Sequence, residues 1–298
     1  MPANINGSPL RNALEEGRYA LGVQMVMPSA HVARVIAGIP GLTFISGGER
    51  KGYAITFDWK KYVLVDLEHG GMSDTEMHTA IHSIAPFGVS PIVRLPSCEG
   101  WLIKRALDAG AHGIVIPMVS TPVSETQLTE GCLPLDTQEE AAAIAAAARF
   151  PPQGIRGFGS TYSRDAFGWS SDDEYLTKAN DEIVVAIMIE TQRGFQNAEE
   201  IINTKGIDIK MTGETDMCLS MGYPLTQHNP PGEVVDAIQR ITYLAKAAGK
   251  WQGGRIRPST DGVREMMSKG IQMIGVGLDA WALRDVLTAA VKDAETTS

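Results

Sequence analysis

Cysteine is scarce in this chain: three in 298 residues (Cys98, Cys132 and Cys218), odd in number, widely spaced and without a CxxC pair. That excludes a disulfide scaffold, argues against a zinc cluster and fits a reducing compartment. Long apolar runs are missing too. The longest strongly apolar one, 183–189, falls far short of the roughly 20 residues that span a bilayer. The opening MPANINGSPLRN has no basic stretch followed by an apolar core, so no secretory signal is visible. The expectation is a cytoplasmic protein with no membrane partner. Positive charge is in deficit, with 26 Lys and Arg against 35 Asp and Glu, a net charge of −9. An acidic surface repels phosphate backbones, so nucleic acid is not an expected partner. No GxGxxG follows a strand pattern, which weakens a dinucleotide-binding reading.

What is present is an ordinary globular composition, 44% hydrophobic and 20% charged, which excludes collagenous, coiled-coil and disordered chains. Short β-branched runs alternate with helical patterns. YVLVD (62–66), SPIVR (90–94), GIVIP (113–117), IVVAIMIE (183–190), IDIKMT (207–212) and QMIGV (272–276) read as buried strands, YALGVQM (19–25) as a first strand and KWQGG (250–254) as a weaker one. Near-continuous apolar strands are covered on both faces, as in parallel sheets. Ser73 with Glu76 and Thr137 with Glu140 spell capping boxes ahead of helices. A further helix carries Val234, Ile238 and Ile241 and stops at Gly249, and a last one carries a stripe of Val286, Leu287, Ala290 and Val291. Eight strands alternating with helices predict an α/β protein of the (β/α)8 TIM-barrel class, with 1–298 as one domain and loops over 38–56 and 119–136.

A barrel places its chemistry at the C-terminal ends of its strands. Those ends carry Asp66, Glu68 and His69 before Gly70-Gly71, then Arg94, then Glu190, then Thr212-Gly213-Glu214-Thr215-Asp216. His69 differs from the other five histidines, which read as surface or core residues, because it follows two carboxylates at a strand end; catalytic and satisfied-surface roles stay equally open. Arg94 has a structural alternative, a salt bridge to Asp66 or Glu68. Glu190 ends a seven-residue apolar run, where a carboxylate is costly unless paired or metal-bound. Asp216 either caps the helix beginning near Met217 or binds a metal. Two carboxylates without a Cys/His cluster suit a hard octahedral cation such as Mg2+ or Mn2+. An arginine can steady a developing enolate oxygen and a histidine can move a proton near neutral pH. Together they suggest enolate chemistry next to a carbonyl.

These residues resemble a known family. DLEHGG (66–71), PIVRLP (91–96), IKRALDAGAHGIVIPMV (103–119), PPQGIRGFGS (151–160), IMIET (187–191), GIDIKMTGETDMCLSMGYP (206–224) and MIGVGLDAWAL (273–283) look like the HpcH/HpaI class II pyruvate aldolases, in order and spacing across nearly the whole chain. The resemblance implies a TIM barrel, a homo-oligomer, usually a hexamer of dimers that exchange their C-terminal helix, and a divalent metal: Mg2+ first, with Mn2+ or Co2+ as alternatives. It implies Glu190 and Asp216 as metal ligands, and Arg94 on the keto oxygen of pyruvate. It makes His69, oriented by Asp108 and assisted by Asp66, the proton-transfer group. Backbone N–H groups of the turn through Gly213, Glu214 and Thr215 would hold the pyruvate carboxylate. The implied activity is metal-dependent carbon–carbon lysis: reversible cleavage of 4-hydroxy-2-oxo acids to pyruvate and an aldehyde.

The chain also departs from the family pattern. Glu214-Thr215 stands where Pro-Ala is frequent, Met188 where glutamine is, Gln24 where an aromatic is, and Tyr162 where small residues are. Several departures resemble the fungal branch that contains macrophomate synthase. An alternative is therefore an oxaloacetate decarboxylase that adds the enolate to another acceptor. A non-catalytic barrel scaffold is the reading from a different class, and the intact Glu190, Asp216, Arg94 and His69 argue against it.

Overall fold

The structure is a computed structural model and describes residues 6–39, 60–117, 136–225, 230–256 and 259–296. Eight strands, β1 (Ala20–Met25), β2 (Lys60–Asp66), β3 (Ser90–Arg94), β4 (Gly113–Ile116), β5 (Val184–Ile189), β6 (Ile209–Thr212), β7 (Trp251–Arg255) and β8 (Met273–Leu278), close into one barrel in sequence order. Every neighbouring pair is parallel, including β1 with β8 at the closure. The expected (β/α)8 barrel is what forms, and the weakest of the expected strands becomes β7.

The described helices are α1 (Pro9–Glu15), α2 (Ala30–Gly38), α3 (Asp74–Ile84), α4 (Gly100–Asp108), α5 (Gln138–Ala148), α6 (Ser163–Ala166), α7 (Asp172–Glu182), α8 (Gln192–Gln196), α9 (Ala198–Asn203), α10 (Glu214–Ser220), α11 (Gly232–Ala247), α12 (Thr260–Ser268) and α13 (Asp279–Thr296). Both capping boxes form, at the starts of α3 and α5. None of the described helices is long and apolar enough to cross a membrane. The loops expected over 38–56 and 119–136 lie almost entirely outside the described residues. Cys98 is disulfide-bonded, which corrects the expectation of reduced cysteines, whereas Cys218 is a free buried thiol.

Two apolar layers follow from the period of two along each strand. Outward residues such as Val63, Val65, Val93, Ile114 and Val185 pack under the helices. Inward residues such as Tyr62, Leu64, Ile92, Val115, Ala186 and Ile209 fill the lumen, and Leu10 and Leu14 of α1 join them from the N-terminal end. Gly22 makes room for this packing: a Cβ there would sit 2.5 Å from the Tyr62 ring. Asp208 fastens the plug, accepting from Arg11 (3.1 Å), Arg149 (3.0 Å) and the Val185 N–H (2.8 Å). His112 is a core histidine, as expected: one ring nitrogen lies 2.8 Å from the Ala166 carbonyl, and burial pushes its pKa down to about 4.

Lys210 is the exception in the outer layer. It sits on the outward face of β6, buried, with its Nζ 3.1 Å from Thr212 Oγ1 and 3.4 Å from Thr242 Oγ1. Burial alone pushes its pKa down to about 8. Below pH 8 both folded and unfolded chains hold the proton, and the folded state bears the full desolvation cost. Between pH 8 and the unfolded value near 10.5 the folded chain sheds the proton first, so stability rises with pH. Lys210→Met is expected to stabilise the protein at pH 7 by about 1–3 kcal/mol, from the size of the pKa depression less the lost threonine contacts. The check is urea unfolding of both proteins at pH 7 and pH 10, where the gap should narrow at the higher pH.

Candidate active site

The site is a continuation of the lumen's inward register. One step beyond the apolar layers, the same parity brings polar residues inward: Gln24 on β1, Asp66 on β2, Arg94 on β3, Glu190 just after β5 and Arg255 at the end of β7. Gly213, just after β6, occupies the equivalent place on that strand. Of these, Gln24, Arg94, Gly213 and Arg255 line a cavity of about 600 Å3 at the C-terminal ends of the strands, with Asp66 and Glu190 buried behind its wall. Its floor is apolar (Tyr62, Leu64, Val115, Met188, Met211). Its walls carry Gln24, His69 and Arg94 on one side, the turn from Thr212 to Asp216 on another, and Arg255, Leu278 and Trp281 on the third.

Asp66 organises one wall. It is fully buried and accepts from Arg94 Nε (2.9 Å), Arg94 Nη2 (2.5 Å), Gln24 Nε2 (2.6 Å) and the backbone N–H groups of Glu68 (3.0 Å) and His69 (3.2 Å). Burial pushes its carboxyl up, but the hydrogen bonds and charge of Arg94, followed by Gln24 and the His69 N–H, outweigh burial and hold it below the usual carboxylate range. Arg94 also reaches Glu68 Oε2 at 3.0 Å, so the structural salt-bridge alternative is realised with both carboxylates. Burial pushes the Glu68 carboxyl up; Arg94 and His69 oppose this, while Asp66 and Asp216 add to it. The turn is tight enough to demand glycine at position 70, where a Cβ would fall 2.1 Å from the Asp66 carbonyl oxygen.

Glu190 is buried against the turn that starts α10: a Cβ on Gly213 would lie 2.0 Å from Glu190 Oε2. Asp216, three residues further on, is exposed to the cavity. Asp66, Glu68 and Glu190 thus share the charge of Arg94, and Asp216 acts on Glu68 from the other side of the turn. Among the described residues no group of three or more His, Cys, Asp or Glu side chains could hold a metal ion. Glu190 and Asp216 are the two carboxylates there that could hold a hard divalent cation.

The remaining candidates fall in two groups. His69 stands at the rim with its side chain 66% exposed and its Nε2 3.7 Å from Glu68 Oε2. Gly213, Glu214 and Thr215 line the cavity beside Asp216. Asp108, in contrast, ends α4 on the outer wall, paired with Arg156 at 2.8 Å. Among the described residues it does not line the cavity, so one chain does not bring it to His69. Tyr162 also lies outside, its ring edge-on to His78 and His82, and is no part of the cavity wall. Sequence reasoning passed over Gln24 as a member of the Asp66–Arg94 network, and Arg255 and Trp281 as cavity walls. No local signal marked Arg255, because the register of β7 beside β8 is what turns it inward.

A closed parallel barrel with a carboxylate- and arginine-lined cavity at its strand ends has the layout of a barrel enzyme. Residues 51–285 match the family described as HpcH/HpaI aldolase/citrate lyase, and the chain belongs to that family of carbon–carbon lyases. It is 30% identical over 302 residues to the hydroxypyruvate/pyruvate aldolase of Deinococcus radiodurans, covering 98% of this chain and 94% of that one. It is 28% identical over 280 residues to the 2-keto-3-deoxy-L-rhamnonate aldolase of Escherichia coli K12, covering 94% and 90%. Among solved structures, a HpcH/HpaI aldolase/citrate lyase family protein from Burkholderia cenocepacia superposes with a TM-score of 0.74 at 26% identity, covering 96% of this chain and 98% of that one. Macrophomate synthase shares the fold, with a TM-score of 0.77 at 24% identity, covering 99% and 91%.

The Gly213–Glu190 approach gives a direct test. Gly213→Ala is expected to force Glu190 or the turn to move, at a cost of about 1–3 kcal/mol from overpacking. Gly232→Ala, where a Cβ meets nothing within 4 Å, is the control. Urea unfolding of the two variants should separate them; equal losses would contradict the close approach.

Proposed function

We propose that the chain is a divalent-metal-dependent pyruvate aldolase that cleaves 4-hydroxy-2-oxo acids reversibly into pyruvate and an aldehyde. The observation that carries this is the meeting, at one end of the lumen, of Glu190 and the Asp216 turn with an arginine already fixed by Asp66 and Glu68. Glu190 and Asp216 are the residues that would hold the cation, of the Mg2+, Mn2+ or Co2+ class, which supplies Lewis-acid polarisation of a keto oxygen when bound. The names of the two aldolase relatives support the same reading.

Each residue then has a task. Arg94, locked in orientation by Asp66 and Glu68, presents its charge to the oxygen on which negative charge develops. In cleavage the 4-hydroxyl loses its proton, the C3–C4 bond breaks, its electron pair passes into the pyruvate enolate and the aldehyde leaves. Reprotonation of C3 gives the methyl group of pyruvate. His69, at the cavity rim, moves these protons. The backbone N–H groups of the turn through Gly213, Glu214 and Thr215 hold the carboxylate of the 2-oxo acid. Among the described residues no lysine lines the cavity, and Lys210, whose pKa is depressed, faces α11; this favours metal-assisted chemistry over a lysine Schiff base.

The test is methyl deuterium exchange of pyruvate in D2O beside oxaloacetate loss. Chelation should stop both, and Mg2+ or Mn2+ should restore them. His69→Ala should slow exchange by roughly 10²–10⁴-fold, the usual worth of a general acid–base group. Oxaloacetate loss should fall much less, since decarboxylation reaches the enolate without removing a methyl proton. Full exchange after exhaustive chelation would refute the metal, and equal losses in His69→Ala would refute the proton-transfer role.

Assembly belongs to the same proposal. From residue 282 to 295 every side chain of α13 is exposed, including Leu283, Val286, Leu287 and Val291 along one stripe. An apolar stripe of that length packs against a second copy of the chain, consistent with an exchanged C-terminal helix in a hexamer of dimers. Ending the chain before Trp281 should lower the mass measured by light scattering, and an unchanged mass would refute helix exchange.

A further inference from the structure

The cavity has a second cationic wall, and the aldolase chemistry proposed above gives it no task. Arg255 is the last inward residue of β7, in the same parity as Trp251, which packs on the lumen core. β3 and β7 lie four strands apart in a ring of eight, so Arg255 and Arg94 stand on opposite sides of the cavity. The two arginines are held differently. The guanidinium of Arg94 is turned into the wall, bidentate on Asp66 and touching Glu68. That of Arg255 lies over the Trp281 ring, 4.9 Å from its centroid. Stacking uses the face of the guanidinium and restricts its rotamers, while its N–H edges retain the fork geometry that matches a carboxylate. Gly275, paired with Arg255 in register, gives the arginine stem its space: a Cβ there would sit 3.3 Å from Arg255 Cγ.

Position decides what such an arginine can recognise. The cation-holding residues lie on β5 and at the end of β6, and Arg94 lies on β3, so the 2-oxo acid donor occupies that side. A carbonyl compound attacked by the enolate carbon extends away from the donor, towards β7, β8 and the start of α13. We infer that Arg255, positioned by Trp281, binds a carboxylate on the acceptor, so that the enzyme selects aldehydes bearing a carboxylate over neutral ones. This inference rests on the aldolase reading and names its acceptor class.

Glyoxylate and glycolaldehyde, two-carbon aldehydes that differ in a carboxylate against a hydroxymethyl group, test it with pyruvate as donor in the full-length protein. The wild-type ratio of kcat/KM should favour glyoxylate. Arg255→Leu should lower that ratio by roughly 10²-fold, the size expected for losing a charge-assisted bidentate contact. Arg255→Lys, which keeps the charge but not the fork, should fall between them and serves if the leucine variant does not fold. Trp281→Leu should raise the KM for glyoxylate by roughly 2–5-fold with less effect on kcat, the size of a stacking contribution, and Trp281→Phe should recover part of it. A ratio unmoved in Arg255→Leu, or a loss equal for both aldehydes, overturns the assignment. The aldolase reading fails separately, by absence of pyruvate methyl exchange in the metal-loaded wild-type protein.

Discussion

The Asp66–Arg94 pair is the constraint around which the cavity is built. A carboxylate with no exposure at the end of a β-strand needs every lone pair engaged, and Asp66 receives donors from Arg94, Gln24 and two backbone N–H groups. The two backbone donors belong to Glu68 and His69, so satisfying Asp66 also bends the chain after β2 into the turn that carries His69. The guanidinium on its other side is in turn held flat against the wall of β2 and β3. One buried charge therefore sets the orientation of the arginine, the path of the histidine loop and the place of the β1 glutamine. Breaking such a pair by removing one partner leaves an uncompensated buried charge, which makes the arrangement rigid as well as polar.

The periodic part of this architecture was legible in the sequence. Capping boxes and the alternation of inward and outward residues are local properties, so the helices beginning at Asp74 and Gln138 and the eight strands follow from neighbours in the chain. The candidate residues at the ends of β2, β3, β5 and β6 follow from the same alternation once a barrel is assumed. Long-range pairings were not legible. Gln24 meets Asp66 across 42 positions, and Asp208 gathers Arg11 and Arg149 from 197 and 59 positions away. Nothing local in WQGGR says whether its arginine points to solvent or into the lumen; the register of β7 beside β8 settles that. Asp108 shows the converse, since a motif match assigns it to His69 while the geometry of one chain gives it to Arg156.

The two ends of the barrel divide stability from chemistry. At the N-terminal end, Leu10 and Leu14 extend the apolar lumen and Asp208 binds α1 to β5 and α5 with hydrogen bonds from three sides. There Asp208 is matched by two arginines, Arg11 and Arg149. At the C-terminal end the balance reverses: Asp66, Glu68 and Glu190 lie in the field of Arg94, and Asp216 adds to the negative charge around Glu68. An excess of negative charge in such a place raises the free energy of the empty site and lowers that of any bound cation. The same field disfavours an anion entering alone. Arg255 lies on the far wall, apart from these acidic side chains. The inward parity that fills the lower lumen with apolar side chains thus places, at its last step, Asp66, Arg94 and Glu190 on one side of the barrel and Arg255 on the other.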